Sequence, residues 1–406
     1  MDTRQLIIYI SEKLKRGYSF ESIKAELLEH NWQAEQIQTA YSMCKIPQKT
    51  NSFVLLNEPI KHSQFIVFSL FSFLFVFMLG FCVIQGNQNQ LAITHAYSIS
   101  NPQIQQTKIL LFGDMMLDRE VRAKINANGQ EYPFENIKNF IAGNNIVVAN
   151  AEGIFSFFNS KTLGVKNAPL EFTFDTAMLS VLKNLGFTLL GQANNHSLNF
   201  GEVGLAQSTT SITLAGLHYF GDPSNIDIHP YVQEIHGEKI GFVAYNEFSH
   251  QGLDNVISTI KDLRNQVSFL IVYPHWGVEY SPTFSQSQQT TAHAFIDAGA
   301  DVVIGMHPHV IEPIEIYNGK PIFYSIGNFI FDQNFSHSTS QGLAVKILLE
   351  KNDVDYQLFP FSIAEEQASL MNVSDTQSIL YSLSESAVTN DDEKAEIASG
   401  VIKIAR

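Results

Sequence analysis

The stretch Asp301-Val302-Val303-Ile304-Gly305-Met306-His307-Pro308-His309 joins a run of β-branched residues to a pair of histidines. Such an apolar run predicts a buried β-strand. Side chains two residues apart in extended backbone point the same way, so His307 and His309 are predicted to face one point beyond the strand's carboxyl end. Open α/β sheets place their binding sites there. Because neutral imidazole is a common ligand for transition metals, the pair indicates metal ligands, with two hydrogen-bonded loop histidines as the alternative.

Four other apolar runs also end in groups that bind metals or form hydrogen bonds. In chain order these groups are Asp114 after residues 109–112, Asn150 and Glu152 after 146–148, Asn194, Asn195 and His196 after 188–190, and His275 after 269–273. Each group alone has an ordinary explanation as a helix cap or a loop hydrogen bond. If these strands run parallel, however, all of the groups converge on one edge of a sheet. The recurrence therefore favours one shared metal centre.

Apolar runs alternate with amphipathic segments over most of the chain, which predicts an α/β domain with a largely parallel core. Helices are expected at residues 176–185 and 287–298, between strands. Three later runs have no helices between them and are expected to pair antiparallel, at residues 321–326, 343–349 and 354–359. We assign this domain to residues 107–365. Residues 366–406 are expected to form a polar, helical and peripheral tail.

Composition narrows the class of function. The chain has 406 residues and a formal net charge of −15, from 40 acidic and 25 basic residues. This balance disfavours nucleic acid as a partner, because a sequence-independent grip on phosphate backbones needs clustered Lys and Arg. The only cysteines are Cys44 and Cys82, so no disulfide framework supports the large C-terminal part.

The first part of the chain, residues 1–47, has the pattern of three short amphipathic helices around Trp32. The second helix is expected to begin after Ser19 and to place Ile23, Leu27 and Leu28 on its inner face. The pattern resembles ubiquitin-associated-like three-helix modules. It is interpreted either as a cytoplasmic module that binds a protein partner or as a cytoplasmic cap without one. Residues 48–64 are expected to form a linker.

Residues 65–84 form an uncharged run that is apolar on every face. About 20 such residues span the hydrocarbon core of a membrane as a helix. Lysines precede the run, whereas residues 85–107 contain no Lys or Arg until Lys108. The positive-inside rule therefore predicts a single span at the cell membrane with a cytoplasmic N-terminus and an extracytoplasmic C-terminal domain. Residues 85–106 are expected to be a polar tether.

The polar motifs occur in a specific order and spacing. They are Gly113-Asp114-Met115-Met116-Leu117-Asp118-Arg119, Asn150-Ala151-Glu152-Gly153, Ala193-Asn194-Asn195-His196, His275-Trp276-Gly277-Val278-Glu279-Tyr280, His307-Pro308-His309-Val310 and Gly327-Asn328-Phe329-Ile330-Phe331-Asp332. In this order they resemble the CapA, or poly-γ-glutamate capsule synthesis, branch of the calcineurin-like metallophosphoesterase superfamily. The resemblance runs from about Lys108 to Gln333. It covers neither the N-terminal bundle nor the C-terminal tail.

The resemblance implies a four-layer αββα sandwich, preceded here by the three-helix bundle and the transmembrane helix, with a site for two divalent metal ions. Carboxylate and imidazole ligands suit Mn, Fe or Zn. By position, His196 would donate a proton and Arg119 would grip substrate oxygens, unless Arg119 forms a surface ion pair instead. The implied metal ligands are Asp114 and His309 on one ion, Asn195, His275 and His307 on the other, and Glu152 bridging both.

Three positions depart from the usual pattern of the superfamily. Met116 stands where Asp-x-His has its histidine, Glu312 stands near the place of a glutamine, and Asn199 replaces an expected aspartate. Two functions stay open. One is a membrane-anchored, two-metal phosphoesterase that acts on an anionic or phosphoester envelope substrate during capsule or envelope polymer synthesis or attachment. The other is a non-catalytic module that binds an anionic polymer in the same cleft.

Overall fold

The structure is a computed structural model of the chain. It describes residues 106–406 and, nearer the N-terminus, Ile10, residues 19–29, Ala34, Ile37, Gln38 and Tyr41. Within this described part of the chain, every helix is too short or too polar to span a bilayer. The span predicted at 65–84 lies outside the described residues, as do the linker and nearly all of the tether.

Helix α1 (Phe20–Glu29) lies where the second helix of the N-terminal bundle was predicted. Ser19 caps it, because its Oγ accepts a hydrogen bond from the Ser22 amide at 3.2 Å. Ile23 is fully buried, but Leu28 is 44% exposed, and its predicted inward position is wrong. At about 100° per residue, Leu28 is turned roughly 140° away from Ile23 around the helix.

The described residues form two large sheets and a short parallel pair, β3 (Ile154–Ser156) with β4 (Thr173–Asp175). The first large sheet has nine strands. Its continuous order, from one edge to the other, is β16 (Gln367–Leu370), β15 (Asp353–Ala364), β14 (Gln341–Leu349), β1 (Thr107–Met115), β2 (Ile146–Ala151), β5 (Leu189–Gly191) and β6 (His218–Phe220). Two further strands, β13 (Asn328–Ile330) and β17 (Val401–Ala405), pair with β1 and β15. The strands β1, β2, β5 and β6 run parallel. Of the three later runs predicted to pair antiparallel, the two that became β14 and β15 do so, whereas the run at 321–326 joins the second sheet and does not pair with them.

The second sheet has six strands. Its order is β11 (Ile314–Tyr317), β12 (Lys320–Phe323), β10 (Val302–Ile304), β9 (Phe269–His275), β8 (Glu238–Asn246) and β7 (Tyr231–Ile235). The strands β8, β9, β10 and β12 run parallel. The polar groups predicted to share one sheet edge therefore come from two sheets. A strand pattern specifies which face is apolar, but it does not specify which sheet the strand joins.

Helices cover the outer faces of both sheets. On the first sheet these are α2 (Arg119–Asn128), α3 (Lys138–Ile141), α4 (Met178–Leu185) and α5 (Gly201–Leu214), and on the second they are α6 (Leu253–Arg264) and α7 (Gln286–Ala298). Between the sheets lies a third apolar core, to which both inner faces contribute. Across it, the Tyr273 hydroxyl of β9 donates a hydrogen bond to the Phe112 carbonyl of β1. The predicted αββα layer order is confirmed.

The segment from residue 366 onward is only partly the peripheral helical tail that was predicted. It contains α8 (Val373–Ser386) and α9 (Asp391–Ser399), but it also contributes β16 and β17 to the first sheet. Ile397 and Ile402 are fully buried in the core between the sheets. The prediction failed because this segment is polar on average, whereas the residues that anchor it are a few apolar side chains at separated positions.

Candidate metal centre

The first sheet supplies its candidate ligands from the carboxyl ends of neighbouring parallel strands. Asp114 lies near the end of β1 and pairs in register with Asn150 of β2. Glu152 follows β2 directly, and Asn195 lies in the turn after β5. Asp114 and Glu152 are both 0% exposed, so the two carboxylates are removed from bulk water. Charged groups at such depth need a partner of opposite charge or a metal ion.

The second sheet supplies three histidines. His275 is the last residue of β9, and Met306, just after β10, forms a parallel bridge with it. The close packing of the backbone before His307 depends on Gly305, because a Cβ atom at that position would lie 2.0 Å from the Tyr324 carbonyl oxygen. A side chain at position 305 would therefore push the following histidines out of place.

The backbone at His307 and His309 differs from the extended conformation that the sequence predicted. The φ angles are +95° at His307 and +59° at His309, in a region that residues other than glycine seldom adopt. The two rings nevertheless lie with their centroids 5.7 Å apart and are almost fully buried. Such strain is found at functional sites, where the surrounding structure holds it.

One set of ligands surrounds His275. Its Nε2 lies 3.0 Å from the Asn195 Oδ1 and 3.2 Å from the His307 Nδ1. Ligand atoms of Glu152, His275 and His307 lie within 4.8 Å of one another. We call these three residues the His275 group, and Asn195 lies beside it as the sequence predicted.

A second set surrounds Asp114. The His309 Nδ1 lies 3.4 Å from the Asp114 Oδ2, and its Nε2 lies 3.7 Å from the Glu152 Oε1. Ligand atoms of Asp114, Glu152 and His309 again lie within 4.8 Å of one another. We call these three residues the Asp114 group. The structure thus brings together the residues predicted to bind metal, with Glu152 common to both groups.

The environment of the Glu152 carboxylate shows whether these residues fit a metal ion. Both of its carboxylate oxygens are buried, and neither has a hydrogen-bond partner. Leaving a buried polar group unpaired costs about 1–3 kcal/mol, and more when the group is charged. A cation between the two groups would remove that cost, and carboxylate and imidazole donors are ligands that divalent metals accept. The residues present therefore fit a metal centre.

The pKa values of the metal-free protein follow from burial and crowding. Burial opposes ionisation of Asp114, but the hydrogen bond from His309 and the nearby imidazoles hold its pKa at about 2. Burial, reinforced by the Asp114 charge, raises the pKa of Glu152 well above its usual range. Burial would lower the pKa of His309, but the two carboxylates raise it to about 9. Burial lowers the pKa of His307 to about 3. In the metal-free protein, His309 thus provides the positive charge beside Asp114.

His196 faces the Asp114 group from the first sheet. Its Nδ1 lies 3.0 Å from the Asn199 Oδ1 and 3.1 Å from the Leu170 carbonyl oxygen. Both atoms are acceptors, so Nδ1 carries the hydrogen. The other nitrogen, Nε2, lies 3.7 Å from the Glu152 Oε1. Burial lowers the pKa of His196, which makes its protonated form a stronger acid.

Arg119 forms an ion pair, the alternative that the sequence left open, and still lies beside the site. Its guanidinium donates two hydrogen bonds to the Asp332 carboxylate. The ring centroids of Phe172 and Phe331 lie 5.0 and 5.4 Å from its central carbon. The side chain keeps 24% of its surface exposed. Its position is therefore fixed, while part of the guanidinium still faces solvent.

A known protein family matches the part of the chain that carries these motifs. The family described as "Bacterial capsule synthesis protein PGA_cap" matches residues 108–333. The chain belongs to this family. The capsule synthesis family that the strand-end motifs indicated is thereby confirmed.

Two relatives of this PGA_cap chain carry names that mention capsule or PGA synthesis. This chain is 29% identical over 271 residues to "PGA biosynthesis protein CapA" of Bacillus subtilis (strain 168). The alignment covers 62% of this chain and 70% of that protein. This chain is also 26% identical over 287 residues to "Capsule biosynthesis protein CapA" of Bacillus anthracis. That alignment covers 66% of this chain and 70% of that protein. Both matches extend beyond the family segment itself.

Solved structures resemble the PGA_cap chain only distantly. The crystal structure of TT1561 of Thermus thermophilus is 9% identical, with a TM-score of 0.36, and covers 59% of this chain and 93% of that one. Vacuolar Protein Sorting 29 from Cryptosporidium parvum is 13% identical, with a TM-score of 0.29, and covers 66% and 96%. The layer order described above rests on the strands and helices of this chain alone.

Several residues of the PGA_cap site were not assigned a role from the sequence. The Asn150 amide donates to the Asp114 Oδ1 at 2.8 Å, and the Asn328 Oδ1 lies 2.9 Å from the His309 Nδ1. Asp332 holds Arg119, and the Glu279 carboxylate lies near the two histidines of the loop. All four lie inside the motifs that indicated the family. Their position in those motifs could have identified them as site residues. Residue type alone did not distinguish a metal ligand from a supporting hydrogen-bond partner.

Metal binding by this PGA_cap centre is expected to release protons. Below about pH 9, a metal that binds the Asp114 group must displace the proton of His309. Glu152, whose pKa is also raised, adds to this release where it holds a proton, so we expect the apparent affinity for Mn²⁺ to rise at least about tenfold per unit between about pH 7 and 8. Calorimetry in buffers with different ionisation enthalpies measures the released protons directly. If binding releases no protons in this range, the assignment of His309 is wrong.

Proposed function

We propose that this chain is a metal-dependent phosphoester hydrolase that acts in capsule or envelope polymer synthesis. The observation that carries the proposal is the Glu152 carboxylate, which is shared by the Asp114 group and the His275 group and has no hydrogen-bond partner. This arrangement suits two divalent ions with Glu152 between them. Mn, Fe and Zn all suit such mixed donors. When bound, two ions would clamp a phosphoryl group and lower the pKa of a water molecule for in-line attack.

Within this proposal His196 acts as the general acid. Its Nδ1 is engaged by Asn199 and Leu170, so Nε2 is the atom that faces the site. A protonated imidazole in that place can give its proton to the leaving oxygen. Asn199 fixes the ring with a neutral amide, where the superfamily pattern has a carboxylate.

Arg119 binds the substrate. Because Asp332 and two phenylalanine rings fix its guanidinium, it loses little conformational freedom when it contacts an anionic group. We expect it to hold a nonbridging phosphate oxygen or a carboxylate of the polymer. Its pairing with Asp332 limits its net charge, so it orients the substrate more than it attracts it.

The place of this activity is the cell envelope. Membership of a capsule synthesis family, and relatives whose names mention capsule or PGA synthesis, support the process. The apolar run at 65–84 and the lysines before it support a single membrane span, a cytoplasmic N-terminus and an extracytoplasmic C-terminal domain. We further propose that the N-terminal bundle binds a cytoplasmic protein of the same machinery.

One observation favours a second candidate, a module that binds an anionic polymer without cleaving it. Met116 stands where the superfamily has a histidine, and its sulfur accepts a hydrogen bond from the Asp118 amide at 3.1 Å. The Asp114 group therefore has one imidazole, that of His309. A weakly held ion there would leave anion binding intact and reduce hydrolysis.

The two candidates are separated by metal analysis and ester hydrolysis. The full chain, purified in detergent, is assayed for bound metal and for cleavage of bis(p-nitrophenyl) phosphate and p-nitrophenyl phosphate. We expect His196→Ala to lower hydrolysis by about 100-fold or more with metal content unchanged. His307→Ala should lower both.

The control is His293→Ala, which alters a histidine on the outer helix α7 that pairs with Glu315. It should change neither metal content nor hydrolysis. If the chain binds no divalent metal and all three variants match the parent, the hydrolase is excluded. If metal binds and neither ester is cleaved, the binding module is favoured.

A further inference from the structure

A carboxylate without an assigned role lies at the mouth of the metal centre. Glu279 follows β9 in the loop 276–280 and is solvent-exposed. Its ligand atom lies within 4.8 Å of ligand atoms of both His307 and His309. An acidic group in this place repels the phosphate of the substrate. The negative charge of Glu279 therefore needs a positive partner, either another group of the substrate or the metal.

The loop that carries Glu279 is held firmly. The Gly277 amide donates to Glu247 at 2.7 Å, and the Tyr280 amide donates to the Pro308 carbonyl at 2.8 Å, between the two histidines. The Tyr280 hydroxyl accepts a hydrogen bond from Gln333 at 3.2 Å, so the side chain that follows Glu279 is also held in place. The backbone that carries Glu279 is thus fixed beside the centre.

Two exposed aromatic rings meet beside the loop that carries this carboxylate. The rings of Tyr280 and Phe335 meet edge to face, with centroids 5.1 Å apart and an interplanar angle of 87°. Tyr280 is 43% exposed and Phe335 is 66% exposed. The Tyr280 ring also lies 6.0 Å from the ring of His309. Aromatic faces beside a carboxylate attract a cation with an apolar surface, because the ring quadrupole and the charge act on the same group.

We propose that Glu279, Tyr280 and Phe335 form a subsite for an ammonium group carried by the substrate next to its phosphate. The inference rests on the proposed function, because the phosphate is placed by the metal centre and the ammonium by this subsite. The substrate class is then a zwitterionic phosphoester whose amine or quaternary ammonium lies a few bonds from the phosphorus. Glu279 offsets the repulsion of the phosphate through its contact with that cation.

The test compares two phosphonates that differ only in an amine and that no phosphoesterase can cleave. Binding of 2-aminoethylphosphonate and ethylphosphonate to the metal-loaded full chain is measured by calorimetry. We expect the amine to strengthen binding about tenfold, as a carboxylate and aromatic faces acting together on one cation would. In Glu279→Gln and Phe335→Ala this preference should fall to about twofold or less, with ethylphosphonate binding as tightly as before or more tightly.

Matched controls are Asp262→Asn, an exposed carboxylate on α6, and Tyr381→Ala, an exposed ring on α8. Both should keep the full preference for the amine. Metal content is measured for each variant. The proposal is overturned if the parent binds both phosphonates equally, if Glu279→Gln keeps the preference, or if Glu279→Gln loses metal and so acts as a metal ligand. If metal binds and bis(p-nitrophenyl) phosphate is cleaved but neither phosphonate binds, the subsite fails and the proposed hydrolase stands; if neither ester is cleaved either, both fail.

Discussion

Replacing Glu152 with glutamine is expected to lower phosphodiester hydrolysis on the order of a thousandfold, because the group shared by both ligand sets is lost. Glutamine has the shape of glutamate but not its charge, and its amide nitrogen cannot bind a cation. Bound metal, measured by mass spectrometry after desalting, should fall with activity.

Glu312→Gln is the matched control for this variant. Glu312 is also buried, and its Oε1 also lacks a hydrogen-bond partner, but its other oxygen accepts from Gln288 on the outer helix α7. Burial raises its pKa to about 8. Glu312→Gln should therefore leave metal content and hydrolysis unchanged. If Glu152→Gln retains metal and activity at the level of this control, Glu152 is not shared by two ions.

Replacing Asp114 with asparagine is expected to destabilise the metal-free protein by about 3–5 kcal/mol at neutral pH, the usual cost of removing one partner of a buried ion pair. Asp114 accepts from the Asn150 side chain at 2.8 Å and from the His307 amide at 3.0 Å, and it pairs with His309. An amide leaves His309 charged and buried with less compensation. Urea unfolding in the presence of a chelator measures the change.

The pH dependence of this contribution has a definite sign. The pKa of Asp114 is lowered from 3.8 to about 2, so its stabilising effect is present above its ordinary pKa and is lost as the pH falls through about 2. The difference in stability between the parent and Asp114→Asn should therefore shrink between about pH 4 and 2. Equal stability of the two proteins at neutral pH would contradict the ion pair.

Asp118→Asn separates a structural carboxylate from a metal ligand. Asp118 is 0% exposed, accepts from Ser160 at 2.6 Å and from the Thr173 amide at 3.1 Å, and lies 3.2 Å from Arg122. These contacts hold the loop 157–172. The variant should lower stability without lowering metal affinity, whereas Asp114→Asn should lower both.

The strand ends could be predicted from the sequence because local pattern and local chemistry coincide there. An apolar run such as Val302–Ile304 is buried in any fold that contains it, and a polar group directly after a parallel strand lies at the sheet edge. His275 and Glu152 were identified in this way, each from a few neighbouring residues. The role of Glu152 as a shared ligand came from the family resemblance, and the structure adds its burial and its missing hydrogen-bond partners.

Contacts between distant parts of the chain could not be predicted. Asp332 lies 213 positions from Arg119, and no local pattern indicates that it fixes the guanidinium. The division of the strands between two sheets depends on pairing along the whole chain. The positive φ angles at His307 and His309 arise from the packing of the loop, since a histidine adopts them only occasionally. What the sequence did not reveal is therefore mostly what holds the ligands in place.

The division of the ligands between the two sheets has a consequence for how the domain comes apart. Asp114 and Glu152 lie in or just after strands of the first sheet, and His275 and His307 lie in or just after strands of the second. An ion bound by members of both must be released before the sheets can separate, so its dissociation rate would set a lower limit on the unfolding time. A chelator should then have a large effect on the time that the domain survives in protease and a smaller effect on its melting temperature. A bound metal would in that case slow unfolding as well as supply chemistry.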